Sequence, residues 1–349
     1  MNKLITIDDR EIGKNRPVYI IAEMSGNHLM NYDRAKEIIY LLKDSGVDAV
    51  KLQTYTPDTI TIDCDRPEFM ATSRLWEGET LYSLYQKAYT PWEWQEDLMR
   101  YANELGMTCF SSPFDITAVD FMENIGMPAY KIASYEINDI ILLKKVAETG
   151  KPVIISTGIA HLEDIERAFR VCRQQGNENI ILLKCTSAYP APYEDMNLKT
   201  IPLMEDTFDC LVGLSDHTLG SEVALGGVAL GACVIEKHVT IAREDGGPDA
   251  AFSMEINEFT DMVKQIRNLE RALGKATFQL TDKQEEGRTG SRSLYVVSDM
   301  KKGDVFDESN LKSIRPGYGM HTMYYDDIIG KCAKQDIEKG TPMSWELVL

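Results

Sequence analysis

The segment AKEIIYLLKDSGVDAVKLQ, residues 35–53, combines two local patterns into one structural unit. Four apolar residues have the i, i+3, i+4, i+7 spacing of an amphipathic helix, namely Ala35, Ile38, Ile39 and Leu42. Gly46 suits the position just after a helix, where the backbone is left-handed. The apolar run Val47 to Leu52 then predicts a buried strand, so the segment is typical of a helix followed by a strand.

The same unit recurs along the chain. Apolar runs follow five further glycines, and they read MTCFSS after Gly106, MPAYKIAS after Gly126, KPVIISTG after Gly150, NENIILLKCTS after Gly176 and ACVIEKH after Gly231. With Val18–Glu23 and Cys210–Ser215, this makes eight strands, mostly separated by helical patterns. Strands that alternate with helices predict a parallel sheet, and eight units in about 260 residues predict a (β/α)8 (TIM) barrel. A doubly wound open sheet is the alternative, but the first strand lacks a Gly-rich dinucleotide fingerprint.

A change of composition near residue 280 predicts a second domain. The polar segment TDKQEEGRTGSRS is typical of a linker. We therefore predict a catalytic barrel over residues 1–280, a linker over 281–290 and a small β-rich domain over 291–349. In that domain SDMKKGDVF (298–306) and QDIEKGTPM (335–343) each put Lys-Gly at an apparent tight turn.

Charge and cysteine content narrow the classes of partner and compartment. Lys and Arg total 37 and Asp and Glu total 55, a net charge of −18, which disfavours nucleic acid and anionic membranes as partners. Seven cysteines without a C-x-x-C pair indicate reduced thiols in a cytoplasmic protein. Cys109, Cys185 and Cys233 lie in apolar runs and are expected to be core residues. We see no signal peptide at the N-terminus and no stretch long enough to span a membrane.

Four lysines stand near the ends of alternate predicted strands, at Lys51, Lys131, Lys184 and Lys237. Active sites of (β/α)8 barrels lie at those ends, so the four lysines predict a pocket for an anion bearing phosphate and carboxylate. Hydroxyls at neighbouring positions could donate to phosphate, namely Ser112, Ser134, Ser156, Thr157 and Ser215. Two alternatives remain open: the lysines form salt bridges facing the helices, or one of them forms a Schiff base.

Two histidines close the last two predicted strands, at His217 and His238. Adjacent strand ends would bring both imidazoles to one divalent ion, with water or substrate oxygens completing its coordination. Structural histidines are the alternative. Three carboxylates stand among these cations, at Glu23, Glu136 and Asp216, and each could be a general base, a ligand for sugar hydroxyls or an ion-pair partner.

The segment 57–94 is a long insertion after the second predicted strand. It contains seven aromatic residues, namely Phe69, Trp76, Tyr82, Tyr85, Tyr89, Trp92 and Trp94. The spacing of Leu81, Leu84, Tyr85 and Ala88 predicts a helix packed on the rim of the barrel. An aromatic wall over a sugar is the functional alternative, because βα loops carry the specificity of barrel enzymes.

The ordered phrases IAEMSGNH, VKLQTY, SSPFD, YKIASYE, STG, CTSAYP, GLSDHTLG and EKHVT resemble the sialic acid synthase family. SLYVVSDMKKGDVF, SIRPG and GKCAKQDIEKGTPM resemble the antifreeze-like (SAF) domain appended to these enzymes. The resemblance implies a metal-dependent condensation of phosphoenolpyruvate with an N-acetylated hexose. It also implies a domain-swapped homodimer and a divalent metal, either Mn²⁺ or Mg²⁺, with Co²⁺ as a third candidate.

The resemblance also implies a role for each matching residue. Phosphoenolpyruvate would be held by Lys51, Ser112, Lys131, Ser134, Ser156, Lys184 and Ser215. His217 and His238 would hold the metal, and both belong to the catalytic set together with Glu23 and Glu136. Glu23, Gln53 and Tyr189 would contact the acceptor, Glu136 would move protons, and Arg315 would reach the acceptor in the partner's barrel. Asn is usual in the neuraminate branch where this chain has Lys184.

Within the family, WEGETLYSLYQKAYTPWEW and GGPDAAFSMEINEF are most similar to the pseudaminic acid synthase branch. The neuraminate and legionaminate branches tend to have His near position 250, where this chain has Ala250. The resemblance therefore implies condensation with 2,4-diacetamido-2,4,6-trideoxy-altrose. Neuraminate or legionaminate synthesis remains an alternative, as do a Schiff-base pyruvate aldolase and a carbohydrate- or ice-binding protein.

Overall fold

The computed structural model describes residues 3–71 and 78–349. The chain divides into two compact units, Met1–Gly274 and Lys275–Leu349. Trp76, one of the aromatic residues of the insertion, lies outside the described residues. The first unit contains the repeating pattern of helices and strands, and the second contains the predicted β-rich domain.

Within the described part of the first unit, eight parallel strands, β1 to β8, close into a barrel. Their bounds are Tyr19–Glu23, Ala49–Thr54, Thr108–Pro113, Tyr130–Ile132, Val153–Ser156, Ile180–Cys185, Leu211–Asp216 and Val234–Thr240. Strand β8 pairs in parallel with both β7 and β1, with Val234 opposite Gly213 and Tyr19. This pairing confirms the predicted (β/α)8 barrel and excludes the open sheet, which would have two unpaired edges.

Each barrel strand is followed by a helix that covers the outside of the sheet. The helices α1 to α8 span Tyr32–Leu42, Trp92–Glu104, Ile116–Asn124, Ile140–Glu148, Leu162–Gln174, Thr200–Phe208, Glu222–Ala229 and Ile256–Leu273. Helix α1 buries Ala35, Ile38, Ile39 and Leu42, as their spacing predicts. Asp115 and Asp139 accept hydrogen bonds from the first backbone amides of α3 and α4, which satisfies donors that have no partner within the helix.

The glycines that separate helix from strand have the left-handed backbone that the sequence pattern requires. Their φ angles lie between 70° and 99° at Gly46, Gly106, Gly126, Gly150, Gly176 and Gly231. A side chain would be strained at this φ, whereas glycine has no Cβ to clash. These six glycines lie between a helix and the next strand and turn the chain back into the barrel; after α6, Asp209 has the left-handed backbone instead, with a φ of 45°.

Shorter elements surround the barrel. A hairpin of Ile5–Ile7 and Arg10–Ile12 precedes β1, and the two-residue strand Met254–Glu255 pairs with β8. The insertion between β2 and α2 contains helices Pro57–Ile60 and Leu81–Ala88 and the 3₁₀ turn Pro67–Phe69. Further 3₁₀ turns span Ser25–His28, Ser134–Glu136, Tyr193–Asp195, Arg243–Asp245 and Ala250–Phe252. The helix predicted on Leu81, Leu84, Tyr85 and Ala88 is therefore present.

The second unit has its own small apolar core. Strands Ser293–Val296 and Leu311–Ile314 pair antiparallel, and Leu294, Val296, Phe306 and Leu311 are fully buried. Short helical elements span Thr322–Tyr324, Tyr325–Ile328 and Trp345–Leu347. Gly303 and Gly340, at the two predicted Lys-Gly turns, have φ angles of 92° and 89°. The segment predicted as a linker carries an exposed helix, Asp282–Gly287, and the turn Arg288–Gly290.

No helix in the described ranges 3–71 and 78–349 is both long enough and apolar enough to cross a membrane.

Candidate active site

The carboxyl ends of the barrel strands surround a cavity of about 620 Å³. Ten of the residues predicted from the sequence line it, namely Lys51, Gln53, Lys131, Ser134, Glu136, Ser156, Tyr189, Ser215, His217 and His238. These residues come from six different strands and the loops that follow them. The tertiary structure therefore brings cations, hydroxyls, a carboxyl group and two imidazoles to one cavity.

Lys51 lies at the centre of a buried polar cluster. Its ammonium nitrogen is 2.5 Å from Glu23 Oε2 and 3.7 Å from Glu236 Oε1, and it donates to Ser112 Oγ at 3.2 Å. Gln53 donates to the other oxygen of Glu23 at 3.2 Å. Burial alone would lower the pKa of Lys51, but Glu23 and Glu236 outweigh burial and raise it. Glu23 and Ser112 do not line the cavity themselves. Glu23 positions Lys51 and Gln53, and Ser112 positions Lys51.

Lys131 is the second cation of the cavity. It donates to Ser156 Oγ at 2.7 Å and to the carbonyl of Ile132 at 3.2 Å, and it lies 3.7 Å from Glu236 Oε1. Burial lowers its pKa. Burial also opposes the charge on Glu236, but Lys131 and Lys51 outweigh burial and lower the pKa of this carboxyl group. Glu236 therefore carries negative charge between two ammonium groups, and an incoming anion would compete with it.

The other two predicted lysines are not brought to the cavity. Lys237 donates to Asp216 Oδ2 at 2.8 Å and to the carbonyl of Thr218 at 2.6 Å. Lys184 donates to the carbonyl of Cys185 at 2.6 Å and to Thr186 Oγ1 at 3.2 Å. Neighbouring side chains of a strand point to opposite faces, so Lys184 and Lys237 lie behind the cavity-lining residues Cys185 and His238. Lys237 and Asp216 thus form a buried salt bridge, which is the alternative to anion binding that the sequence left open.

The two histidines meet as the sequence predicts. The ring centroids of His217 and His238 are 5.3 Å apart. His217 Nδ1–H donates a hydrogen bond to the carbonyl of Thr186 at 3.2 Å, so Nε2 is the nitrogen left for a ligand. Burial alone would lower the pKa of His217, but Cys185 and Glu236 outweigh burial and raise it, so Nε2 must lose its proton when a metal binds. Burial, His217 and Lys51 hold the pKa of His238 well below its usual value, so this ring is the neutral, metal-binding form.

Two imidazoles can bind one divalent metal ion if oxygen atoms of the substrate or of water serve as its further ligands. His238 Nδ1 and Glu236 Oε2 are buried without a hydrogen-bond partner. Burying an unpaired polar atom costs free energy, and a bound group that contacts these atoms could recover it. No group of three or more His, Cys, Asp or Glu side chains suited to a metal occurs among residues 3–71 and 78–349. The pair therefore fits a metal only if part of its coordination comes from outside the protein, as the sequence predicts.

Glu136 lies in the 3₁₀ turn after β4 and lines the cavity. Burial raises the pKa of Glu136 to about 7, although Lys131 opposes this rise. Its Oε2 atom is buried without a hydrogen-bond partner. A carboxyl group with such a pKa can exchange a proton near neutral pH.

The insertion contributes the opposite wall of the cavity. Leu81, Leu84, Tyr85 and Ala88 of the helix Leu81–Ala88 line it. Tyr55 packs edge-to-face against Tyr85 and Phe114, with ring centroids 5.6 Å and 5.0 Å apart. The segment was predicted to be either a helix packed on the rim or a wall over the substrate. The helix Leu81–Ala88 does both, because it packs on the rim and its apolar side chains line the cavity. Tyr189 packs on the other side of the cavity, with its ring centroid 4.7 Å from that of His217.

Arg315 belongs to the second unit, directly after the strand Leu311–Ile314, and precedes a cis proline at 316. Its predicted contact with an acceptor concerns a partner chain and stays a prediction.

Several polar groups that line the cavity were given no role by sequence reasoning, namely Glu236, Cys185, Asp249, Ser25, Tyr55, Tyr135 and Ser187. Cys185, expected to be a core residue, has its sulfur 3.8 Å from His217 Nδ1, and His217 outweighs burial to lower the thiol pKa to about 7. Asp249 accepts a hydrogen bond from Ser25 Oγ. Strand alternation was the available signal for Glu236, since it lies two residues before His238; no comparable signal marks Asp249.

The cavity has the features of an enzyme active site. It lies at the carboxyl end of the strands of a closed (β/α)8 barrel, and it holds two lysines, two neighbouring imidazoles and a titratable carboxyl group. The profile of the NeuB family matches residues 38–278, and that of the SAF domain matches residues 291–349. The chain belongs to the NeuB family, the sialic acid synthase type of transferase, and carries a C-terminal SAF domain.

Individual relatives support this assignment. The pseudaminic acid synthase of Campylobacter jejuni is 42% identical over 326 residues, covering 93% of this chain and 95% of the relative. The N,N'-diacetyllegionaminic acid synthase of the same species is 35% identical, covering 92% and 97%. The N-acetylneuraminic acid synthetase of Leptospira borgpetersenii, solved in complex with citrate, superposes with a TM-score of 0.73 at 30% identity, covering 82% and 95%.

Proposed function

We propose that this chain is a pseudaminic acid synthase. It condenses phosphoenolpyruvate with 2,4-diacetamido-2,4,6-trideoxy-altrose and water, giving pseudaminic acid and phosphate. The observation that carries the proposal is the placement of Lys51 and Lys131 on either side of Glu236, in the same cavity as His217 and His238. The higher identity to the pseudaminate enzyme, 42% against 35% for the legionaminate enzyme, supports the choice of acceptor.

Phosphoenolpyruvate carries a phosphate and a carboxylate and needs fixed cations and donors. Lys51 and Lys131 supply the charge, and Ser134, Ser156 and Ser215 supply hydroxyls on the same cavity wall. Ser112 holds Lys51 in place through its hydrogen bond. Holding both substrates together in this way removes much of the entropy cost of a reaction between two molecules. Lys184 donates to Thr186 and a carbonyl instead, so we assign it no contact with phosphate.

The acceptor aldehyde would lie beside the histidine pair. His217 and His238 would hold a divalent ion, Mn²⁺, Mg²⁺ or Co²⁺, which when bound supplies Lewis-acid stabilisation of negative charge on the aldehyde oxygen. Gln53 and Tyr189 line the same cavity and would orient the sugar chain, while Glu23 holds Gln53 from behind. C3 of phosphoenolpyruvate would form the new bond to C1 of the acceptor.

Water then adds at C2, and the C2–O bond to phosphate breaks. Glu136 is the cavity carboxyl group that we assign to this proton transfer, because its raised pKa lets it accept a proton from water near neutral pH. Burial also raises the pKa of Glu23 to about 7, but Glu23 pairs with Lys51 and does not line the cavity. Glu236 lies between Lys51 and Lys131, which lower its pKa.

We further propose a domain-swapped homodimer in which Arg315 contacts the acceptor bound in the partner's barrel. The motive is the position of Arg315 in the SIRPG phrase of the SAF domain, together with a cavity lined by the carboxyl groups of Glu136, Glu236 and Asp249. A cytoplasmic location agrees with seven cysteines that are free thiols.

A phosphate-release assay with three acceptors tests the proposed function. We expect release to require phosphoenolpyruvate, a divalent metal and the altrose derivative, with much lower rates for N-acetylmannosamine and the legionaminate precursor. Preferential use of one of the latter two would reassign the acceptor. Borohydride in the presence of pyruvate should trap no adduct, and a trapped lysine adduct would favour the Schiff-base aldolase.

A further inference from the structure

The cavity has two chemically different sides. The histidines lie at the ends of β7 and β8, whereas Tyr55 and Phe114 follow β2 and β3. Strand β3 is four strands from β7 in the closed ring, so the aromatic side chains lie across the mouth from His217. Leu81 and Leu84 of the insertion helix join them. Phe114, Leu81 and Leu84 form what we call the apolar wall, and the rings of Tyr55 and Tyr85 border it.

The apolar wall is held in place by contacts that do not involve the cavity. The indole of Trp92 donates to the carbonyl of Tyr55 at 3.1 Å. A Cβ on Gly26 would lie 3.2 Å from the carbonyl oxygen of Ala88, so the end of the insertion helix packs closely on the loop after β1. Thr80 caps the start of this helix through the amide of Ser83. The insertion helix and the backbone of Tyr55 are thus supported by contacts that a ligand in the cavity does not have to break.

We propose that the apolar wall binds the C6 methyl end of the acceptor and selects 6-deoxy sugars over sugars with a 6-hydroxyl. This inference rests on the proposed function, which puts the acceptor aldehyde at the histidine pair. An open-chain hexose bound there by C1 extends across the mouth, and its C6 end is the part farthest from the histidines. A methyl group at C6 gains contact with Leu81, Leu84 and Phe114. A hydroxyl beside these three side chains would lose its hydrogen bonds to water without gaining a partner.

The expected preference for the 6-deoxy sugar can be estimated from the known selectivity of apolar pockets between a methyl group and a hydroxyl-bearing group. Such a pocket rejects a group that merely adds a hydroxyl by about 10- to 100-fold in kcat/KM. We therefore expect the wild-type enzyme to prefer 2,4-diacetamido-2,4,6-trideoxy-altrose over its 6-hydroxy counterpart by a factor in that range. The comparison is made by phosphate release, and the same measurement is run with N-acetylmannosamine and its 6-deoxy analogue.

Leu84→Asn and Leu81→Asn place an amide in the wall. We expect each to reduce the 6-deoxy preference to about threefold or less, chiefly by lowering kcat/KM for the 6-deoxy sugar. Loss of folding alone would lower both sugars equally, and Leu81 is only half-buried, so it guards against failure of the Leu84 variant to fold. Leu203→Asn, at a leucine 62% exposed on α6, is the matched control and should keep the wild-type preference.

A preference near 1 in the wild type, or one that both wall variants leave unchanged, would overturn the wall assignment. A preference that responds to removal of the 4-acetyl group but not to the C6 hydroxyl would also overturn it, because an acetamido methyl would then occupy the wall. Failure of the proposed function has a different signature. The altrose pair would give no phosphate, while the preference within the mannosamine pair would still test the wall.

Discussion

The ammonium group of Lys237 donates to Asp216 Oδ2 at 2.8 Å, and both side chains are almost completely buried, with exposed fractions of 1% and 0%. This pair lies on the face of β7 and β8 opposite to His217 and His238, although it alternates with them in sequence. The ends of the last two strands thus carry a stabilising ion pair on one side and the proposed metal ligands on the other.

Lys237→Met should destabilise the barrel without removing a group from the cavity. Loss of one partner leaves Asp216 as an uncompensated buried charge, which costs about 3–5 kcal/mol. Urea unfolding measures the loss, and Lys264→Met, at an exposed position, should change stability by less than about 0.5 kcal/mol. Equal stability of the Lys237 and Lys264 variants would contradict the importance of the ion pair.

Lys131→Met should have the opposite phenotype and impair catalysis. Removing a buried cation that binds an anion costs about 2–5 kcal/mol, so kcat/KM for phosphoenolpyruvate should fall by at least about 30-fold. Lys184→Met is the matched comparison, since its ammonium contacts Thr186 and a carbonyl, and it should lower kcat/KM far less. If kcat/KM falls by a similar factor in both variants, Lys184 contacts the phosphate, as the family resemblance implies.

His238→Ala should weaken metal binding directly. One of two protein ligands is lost, so the Kd for Mn²⁺, followed by electron paramagnetic resonance or calorimetry, should rise by more than about 100-fold. EDTA should abolish phosphate release by the wild type. His161→Ala, at an exposed helix cap, should bind Mn²⁺ like the wild type. Unchanged Mn²⁺ affinity in His238→Ala would assign these histidines a structural role.

The pH dependence of kcat/KM should report Glu136, because this ratio follows the pKa values of the substrate-free enzyme. Burial raises the pKa of this carboxyl group to about 7, and only its ionised form accepts a proton. The rate should therefore fall about tenfold per pH unit below pH ~7 and level off above it. Glu136→Gln should lower kcat/KM and remove this acid limb, whereas Glu194→Gln, at an exposed site, should leave the profile unchanged. An acid limb that persists in Glu136→Gln would assign the titration to another group.

Arg315→Ala and Lys131→Met chains should complement each other. In a domain-swapped heterodimer, one barrel has both its own Lys131 and the partner's Arg315, so one of its two sites is complete. Random mixing of equal amounts should recover about a quarter of wild-type activity per chain. If the mixture is no more active than the two separate variants, Arg315 does not act across the dimer.

The barrel and its catalytic end were predictable from local patterns. Helix spacing, glycines with φ above 70° and apolar runs repeat with little interruption, and each run forms a strand. The histidine pair was also predictable, because neighbouring parallel strands end side by side. Glu236 was given no role and Cys185 was assigned to the core, although both alternate in phase with residues that line the cavity.

The amino-acid order alone is enough to specify eight βα units, a separate C-terminal domain and the residue types at each strand end. It does not specify which of two consecutive side chains faces inward. Strands of a parallel barrel are buried on both faces, so alternation relates residues i and i+2 but does not tell which of the two sets faces the inside of the barrel. Only the closed sheet, with its helices on the outside, places Lys51 and Lys131 in the cavity and Lys184 and Lys237 away from it.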